Sequence, residues 1–217
     1  MDMDQYNIFE SPFVLRVRPA LINSASEPFI LIHGWSGNEM SMSVFQSVTP
    51  ENALLIYPRG ILKIDEGKFG WIDQNSIDKR EFNAFSNICT ELYQTILRVI
   101  QRFSNQKDQK INLIGFSQGA SMCLVMSLLY PKSFHKIALL SGYLPLSYPE
   151  YLDRHLNQLE YYISHGTEDK IVDYSKALEI ESYLRKSGGK VNLCTAKTAH
   201  RVSNACLREI KAFFEEN

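Results

Sequence analysis

Short apolar runs that alternate with longer amphipathic segments are the feature that most restricts how this chain can fold. Apolar runs of four or five residues suit strands that are buried on both faces of a sheet. Such runs lie at residues 29–32, 53–57, 111–114, 136–140 and 161–164. Residues 13–18 alternate in the manner of a strand, and residues 191–195 follow a Ser-Gly-Gly turn. We predict a strand at each of these places.

Helical periodicity connects several of the predicted strands. The clearest case is an apolar stripe at three- and four-residue spacing, which is typical of an amphipathic helix. Its members are Phe82, Phe85, Ile88, Leu92, Ile96, Val99, Ile100 and Phe103. Further helices are predicted at about residues 118–130, where Pro131 ends the pattern, at 174–186 and at 203–214.

The alternation of strand and helix indicates an α/β fold with a mostly parallel central sheet and helices on both faces. A chain of 217 residues can bury one large core, so we expect a single domain over residues 1–217. In such a fold the loops at the carboxyl ends of the strands carry the binding residues. We therefore look for the chemistry on those loops.

Charge and hydropathy exclude several classes of partner. The formal net charge of −1, without a dense Lys/Arg cluster, argues against nucleic acid. The acidic start, MDMDQYN, lacks the basic and then apolar order of a signal peptide. The longest apolar stretch, around residues 120–130, is too short to cross a bilayer. We expect a cytoplasmic protein without an integral membrane segment, whose oligomeric state the sequence leaves open.

Four cysteines, Cys89, Cys123, Cys194 and Cys206, are present without C-x-x-C spacing and without a paired histidine. Spacing of that kind is what a metal site or a redox motif needs. We expect reduced, mostly buried thiols and no metal.

A serine stands between two glycines directly after one apolar run, in Gly115-Phe-Ser-Gln-Gly119. A tight turn from strand to helix needs small neighbours, because its backbone is strained and other segments approach closely. Such a turn lifts the hydroxyl above the sheet, and the N-terminus of the next helix directs its amides and positive dipole end to the same place. Ser117 is therefore the predicted nucleophile, beside a site for an anion.

A serine hydroxyl is a weak nucleophile until a base takes its proton and a carboxylate orients that base. In this kind of fold the acid and then the histidine follow the serine along the chain. The segment HGTEDKIV places Asp169 on the loop after the run at 161–164. Asp169 is the predicted acid, with Glu168 and Asp173 as alternatives.

The segment TAKTAHRVS places His200 on the loop after the last predicted strand, and His200 is the predicted base. Four other histidines compete for this role. His33 and His165 each precede a glycine at a strand end, where a histidine more often braces a loop by hydrogen bonds. His135 and His155 fall in stretches that we expect to be exposed.

The oxyanion of a tetrahedral intermediate needs amide donors. One comes from the residue after the nucleophile, here Gln118, and one from the loop after an earlier strand. The segment ILIHGWSGNE offers the amide of Trp35 for the second position.

These segments together resemble the phospholipase/carboxylesterase family of small α/β-hydrolases, which includes the acyl-protein thioesterases. The resemblance rests on LIHGWSGNE, YPRG, GFSQGA, LLSGYLPL, HGTEDKIV and the histidine near the C-terminus, and it covers nearly the whole chain. It implies the α/β-hydrolase fold and hydrolysis of carboxylic esters or thioesters without a cofactor, with the triad and oxyanion donors named above. Two departures could alter the pocket wall. Ala120 stands where a third glycine is common, and TAHRVS lacks the usual glycine before the histidine.

Four side chains on or beside loops expected to surround Ser117 are candidates for binding the substrate. They are Trp71, Phe116, Tyr143 and Leu144. An apolar wall suits an acyl chain or an aromatic group, although aromatic side chains on loops also serve packing.

The leading hypothesis is a serine hydrolase that cleaves a small-molecule or acylated ester or thioester through an acyl-enzyme intermediate. One alternative is a serine peptidase or amide hydrolase, since the same triad serves both reactions. The other is a non-catalytic protein of the same fold that binds a hydrophobic ligand.

Overall fold

The computed structural model describes residues 7–10, 12–21, 26–73, 81–103, 109–145, 147 and 156–216. The strands in these residues are β1 Asn7–Glu10, β2 Val14–Arg18, β3 Phe29–Ile32, β4 Leu55–Pro58, β5 Leu62–Asp65, β6 Lys68–Gly70, β7 Ile111–Phe116, β8 Phe134–Leu140, β9 Glu160–Gly166 and β10 Lys190–Ala196. The α-helices are α1 Phe82–Phe103, α2 Gln118–Leu129, α3 Ser175–Lys186 and α4 Asn204–Glu215. Short 3₁₀ helices lie at Ser41–Val48 and Pro131–Ser133.

Eight strands form one sheet in the order β1, β2, β4, β3, β7, β8, β9, β10. All neighbours from β4 to β10 are parallel, whereas β2 is antiparallel to both β1 and β4. The parallel strands end at one common edge of the sheet, which we call the carboxyl edge. The opposite edge, where they begin, is the amino edge.

Two hydrophobic clusters lie on the two faces of the sheet. The larger one contains buried side chains of α1, α2 and α3, and the smaller one those of α4 and the 3₁₀ helix Ser41–Val48. The apolar stripe of α1 faces the larger cluster, as its spacing predicted. α2 is buried along nearly its whole length, which explains why its sequence is apolar all round. The predicted sheet with helices on both faces is therefore confirmed.

Every strand and helix predicted from the sequence is present, with ends that differ by at most a few residues. The strand β1 and the hairpin β5–β6 were not predicted. The residues of β5, LKID, are all exposed, so no apolar run marks that strand. Among the described helices, none combines the length and the apolar character needed to cross a membrane.

The prediction of reduced thiols is wrong for one pair of cysteines. Cys194 on β10 and Cys206 on α4 form a disulfide, with their Cα atoms 5.8 Å apart. Cys89 and Cys123 are free and buried, as expected. A separation of 12 residues carried no signal, because the pair meets only when α4 packs on the sheet. The disulfide closes the segment that includes the loop between β10 and α4.

Candidate active site

Ser117 lies in the turn between β7 and α2, with φ +53° and ψ −119°. Such backbone strain costs about 1–3 kcal/mol and is found most often at functional sites. The neighbouring glycines are required by close packing. A Cβ on Gly115 would collide with the carbonyl group of Gly119, and a Cβ on Gly119 would collide with the carbonyl oxygen of Ile32. The Gly-x-Ser-x-Gly spacing therefore follows from the close approach of α2 to β7 and β3.

The strained turn places Ser117 directly before the N-terminus of α2. The amide of Ser117 donates to the carbonyl oxygen of Leu140 at 2.8 Å, which ties the turn to the end of β8. Gln118 is the first residue of α2, where backbone amides have no partner within the helix. These amides and the positive end of the helix dipole favour a negative charge beside the serine.

Asp169 and His200 come from loops that follow neighbouring strands, β9 and β10. Nδ1 of His200 lies 2.6 Å from Oδ2 of Asp169. The other carboxylate oxygen, Oδ1, accepts hydrogen bonds from the amides of Ile171 at 2.8 Å and Val172 at 3.0 Å. The Asp169 side chain is fully buried, whereas that of His200 is 18% exposed. The acid is therefore fixed from both sides, and the imidazole reaches towards solvent.

The electrostatics of Asp169 favour the carboxylate form. Burial opposes ionisation, but the hydrogen bonds from His200 and from the amides of Val172 and Ile171 outweigh it and lower the pKa of Asp169 below its usual value. The carboxylate thus holds a negative charge next to the ring of His200, the predicted base.

The two alternative acids make different contacts. Glu168 is exposed and lies 3.7 Å from Nζ of Lys197. Oδ1 of Asp173 accepts from the amide of Ser175 at the start of α3. Neither contact involves His200.

Phe116, the last residue of β7, packs on the ring of His200 with a centroid separation of 4.9 Å. Phe116 is half-buried and contacts the smaller hydrophobic cluster. Phe116 therefore helps to hold the predicted base beside the turn of Ser117.

The loop after β3 lies against Ser117. A Cβ on Gly34 would lie 3.1 Å from Cβ of Ser117 and 3.1 Å from the carbonyl oxygen of Phe116. These distances are shorter than ordinary van der Waals contact, so glycine suits this close approach. Trp35 follows Gly34 directly in the chain and so lies close to Ser117. This is the position expected for the second oxyanion donor.

Three side chains brace this loop. His33 is buried, with Nδ1 2.6 Å from the carbonyl oxygen of Gly34, and its Nε2 accepts from the amide of Gly60 at 2.9 Å. Nε1 of Trp71 donates to the carbonyl oxygen of His33 at 2.8 Å. Oε1 of Gln118 accepts from the amide of Trp71 at 2.7 Å. One network therefore links the loop after β3 to the first residue of α2.

Sequence reasoning gave Gln118 a backbone role only and missed its side chain. Besides the bond to Trp71, Nε2 of Gln118 donates to the carbonyl oxygen of Ile72 at 2.6 Å. The residue type could have indicated this role, because a glutamine in the Gly-x-Ser-x-Gly motif is buried and its polar side chain then needs hydrogen-bond partners.

His33 acts as a brace, the role that its position before a glycine favours. Burial is the main cause that lowers the pKa of His33, from 6.5 to about 4. The amide of Gly60 already occupies its Nε2. His33 therefore has no free nitrogen with which to serve as the base.

The remaining histidines lie elsewhere. His165 is buried behind Asp169, with Nε2 2.9 Å from the carbonyl oxygen of Val172. His135 lies at the amino edge, at the start of β8, and contacts Glu27. His155 falls outside the described residues.

The four predicted substrate-binding side chains have different environments. Phe116, Tyr143 and Leu144 are partly exposed at the carboxyl edge. The rings of Tyr143 and Phe85 pack at nearly a right angle, with centroids 6.2 Å apart. Trp71 is only 1% exposed, belongs to the larger hydrophobic cluster and braces the loop after β3. Three of the four side chains are therefore partly exposed, and their part in substrate binding stays a prediction.

Ala120, one of the two departures from the family pattern, packs against Gly142, where an added Cβ would lie 2.6 Å from that of Ala120. The side chain thus fills space beside the loop after β8. In the described part of the chain, no group of three or more His, Cys, Asp or Glu residues is arranged to hold a metal ion.

Comparison with solved structures identifies the fold. A carboxylesterase from Mesorhizobium loti matches with a TM-score of 0.84 and 16% identity, covering 98% of this chain and 100% of that chain. The Bacillus cereus carboxylesterase matches with a TM-score of 0.82 and 16% identity, covering 95% of each chain. At this identity the likeness shows the fold alone. The protein has the α/β-hydrolase fold, as the sequence predicted.

Comparison of sequences identifies the family. The model of the phospholipase/carboxylesterase family matches residues 21–217. The acyl-protein thioesterase 1 of Debaryomyces hansenii is 24% identical over 190 residues, which cover 79% of this chain and 82% of the relative. The chain belongs to the phospholipase/carboxylesterase family, and the predicted family is confirmed.

Proposed function

We propose that this protein is a serine hydrolase that cleaves carboxylic esters or thioesters with Ser117 as nucleophile, His200 as base and Asp169 as acid. The observation that carries the proposal is the 2.6 Å contact between Nδ1 of His200 and Oδ2 of the buried Asp169, beside the strained turn of Ser117. Because Asp169 engages Nδ1, the other ring nitrogen, Nε2, is the one left to accept the serine proton.

The proposed reaction has two halves. The Oγ of Ser117 attacks the carbonyl carbon of the substrate while His200 takes its proton, and the alcohol or thiol then leaves with that proton. Water attacks the resulting acyl-enzyme with His200 again as base, which releases the carboxylic acid. The amides of Gln118 and Trp35 are proposed to hold the oxyanion in both halves, in the field of the α2 N-terminus.

The substrate pocket is proposed to use Phe116, Tyr143 and Leu144, the predicted side chains that are partly exposed at the carboxyl edge. Trp71 is buried, so in this proposal it shapes the pocket through the loop that it braces. The expected substrate is a small or acylated ester or thioester. The names of the relatives, carboxylesterase and acyl-protein thioesterase 1, support this chemistry.

The proposal is tested by turnover of matched ester, thioester and amide substrates with wild-type protein and Ser117→Ala. We expect hydrolysis of esters and thioesters and slow reaction of amides, because the amine is a poor leaving group. Ser117→Ala should lower turnover by about 10⁶-fold, as loss of a nucleophile does in a serine protease. Turnover retained within about tenfold would remove Ser117 from the role. Amides as the preferred substrates would instead favour the peptidase alternative.

A further inference from the structure

His165 lies near the carboxyl end of β9, four residues before Asp169, and the side chains of both residues are fully buried. Its Nε2 lies 2.9 Å from the carbonyl oxygen of Val172 and 3.5 Å from Oδ2 of Asp169. Because a carbonyl oxygen can only accept, Nε2 carries the hydrogen of the shorter contact. The N–H of His165 therefore points into the turn that presents the acid.

This turn, residues 169–172, is held from two sides. On one side, Oδ1 of Asp169 binds the amides of Ile171 and Val172. On the other side, His165 binds the carbonyl oxygen of Val172. Loss of the histidine would leave this oxygen without its donor and would free the residue whose amide orients the carboxylate.

We propose that His165 is a positioning residue of the triad, which fixes the carboxylate of Asp169 so that Oδ2 meets Nδ1 of His200. This inference rests on the function proposed above. A separation of 3.5 Å between Nε2 and Oδ2 is too long for a strong hydrogen bond. In a buried site, however, the N–H dipole still attracts the carboxylate oxygen. His165 thus acts on the acid both through Val172 and directly.

A role in packing alone does not account for a histidine at this place. Nδ1 of His165 is buried and has no hydrogen-bond partner among the residues that the structure describes. A buried unpaired polar atom costs about 1–3 kcal/mol, and an apolar side chain would avoid that cost. The benefit of the imidazole must therefore come from its other nitrogen, Nε2, which faces the turn at residues 169–172.

The test compares two amides at one position. His165→Gln places an N–H donor at about the reach of Nε2, whereas His165→Asn places it one atom short. The two variants share their chemistry and differ in reach, so the amide of Asn cannot replace the bond to Val172. His135→Leu is the matched control, because His135 also contacts a carboxylate, Glu27, but at the amino edge.

We expect His165→Asn to lower kcat by about 10- to 100-fold, the usual effect of removing the partner that orients a functional side chain. KM for an ester should change by less than about threefold, because substrate binding is not involved. His165→Gln should recover most of the loss, and His135→Leu should match the wild type. Only folded protein, verified by circular dichroism, is compared.

A double-mutant cycle separates positioning through Asp169 from a general effect. If His165 acts through the acid, His165→Asn in an Asp169→Asn background should change kcat by less than about threefold. Equal losses in both backgrounds, or Gln no better than Asn, would overturn the inference. If His165→Asn does not fold, His165→Leu replaces it, and failure of both to fold would assign His165 to the fold instead.

The same cycle distinguishes failure of this inference from failure of the proposed function. Asp169→Asn with full activity would contradict the triad itself. Asp169→Asn with a large loss, together with a silent His165→Asn, would contradict only the positioning role.

Discussion

Two histidine–carboxylate pairs lie at opposite edges of the same sheet. At the carboxyl edge, His200 contacts the buried Asp169 at 2.6 Å. At the amino edge, His135 contacts Glu27 at 2.9 Å, with 38% and 29% of the two side chains exposed. The contacts are similar, so the presence of such a pair does not by itself define a catalytic site.

The surroundings of the two pairs differ in the sign of the nearby helix end. At the carboxyl edge, α2 presents its N-terminus beside Ser117, which favours anions. At the amino edge, α4 presents its C-terminus, and Nζ of Lys136 donates to the carbonyl oxygen of Phe213 at 2.8 Å. The helix end at the first edge therefore favours a developing oxyanion, whereas the helix end at the second edge opposes one. At the carboxyl edge the predicted nucleophile, the helix N-terminus and the predicted base therefore lie together.

The largest expected effect is a difference in turnover between variants of the two carboxylates, Asp169 and Glu27. Asp169→Asn should lower turnover by about 10⁴-fold, because the amide no longer holds His200 in the productive tautomer. Glu27→Gln should leave turnover unchanged, since this pair lies at the amino edge of the sheet, away from Ser117. Steady-state kinetics with one ester measure both variants. Comparable losses in the two would break the distinction between the edges.

The second effect concerns stability and comes from His33 at the carboxyl edge. Because burial lowers its pKa from 6.5 to about 4, the unfolded chain binds more protons than the folded one between these values. Stability should therefore fall as the pH falls through this window. The contribution of His33 is about 2 kcal/mol between pH 7 and pH 5.

Urea unfolding at both pH values of wild type and His33→Asn measures this contribution. From pH 7 to pH 5, the free energy of unfolding should fall by about 2 kcal/mol less in the variant than in the wild type. This difference does not depend on the stability of the variant at pH 7. An identical pH dependence in the two proteins would show that His33 is not buried in its neutral form.

The disulfide should contribute about 2–3 kcal/mol, the range expected from the entropy of a closed loop of this length. Cys194→Ser with Cys206→Ser should lower the free energy of unfolding by this amount. The matched control is Cys89→Ser with Cys123→Ser, which keeps the disulfide, so adding dithiothreitol to this variant should still lower its free energy of unfolding. A wild type that is insensitive to dithiothreitol would mean that Cys194 and Cys206 are not bonded in solution.

The same pair tests the cytoplasmic location, which stays a prediction. Disulfides persist in oxidising compartments and are rare in the reducing cytosol. Rapid alkylation of intact cells should find Cys194 and Cys206 as free thiols if the protein is cytoplasmic. A bonded pair in cells would place it in an oxidising compartment.

The smallest effect concerns the acyl group. If Tyr143 and Leu144 bind an acyl chain, each buried methylene adds up to about 0.8 kcal/mol, and kcat/KM should rise severalfold per two carbons until the pocket is full. Acetyl, butyryl and octanoyl esters of one alcohol provide the measurement. Strict preference for acetyl, or no dependence on length, would mean that these side chains only pack the protein.

The order of strands and helices was predictable because burial on one or both faces fixes the spacing of apolar residues along each strand and helix. The turn of Ser117 was predictable for a related reason, since Gly115 and Gly119 are dictated by local packing. The Cys194–Cys206 bond and the hydrogen bonds of the Gln118 side chain were not predictable. The disulfide joins a strand to a helix 12 residues further along the chain, and the Gln118 bonds join segments that are distant in sequence, so no local pattern records either contact.

Labelling with a fluorophosphonate tests the central claim most directly, because the reagent bonds only to a serine that a base has activated. The wild type should gain one adduct by intact mass, located on Ser117 by peptide mapping, and His200→Asn should label far more slowly. Glu27→Gln should label as fast as the wild type. An unlabelled wild type, or an adduct on a serine other than Ser117, would contradict the account.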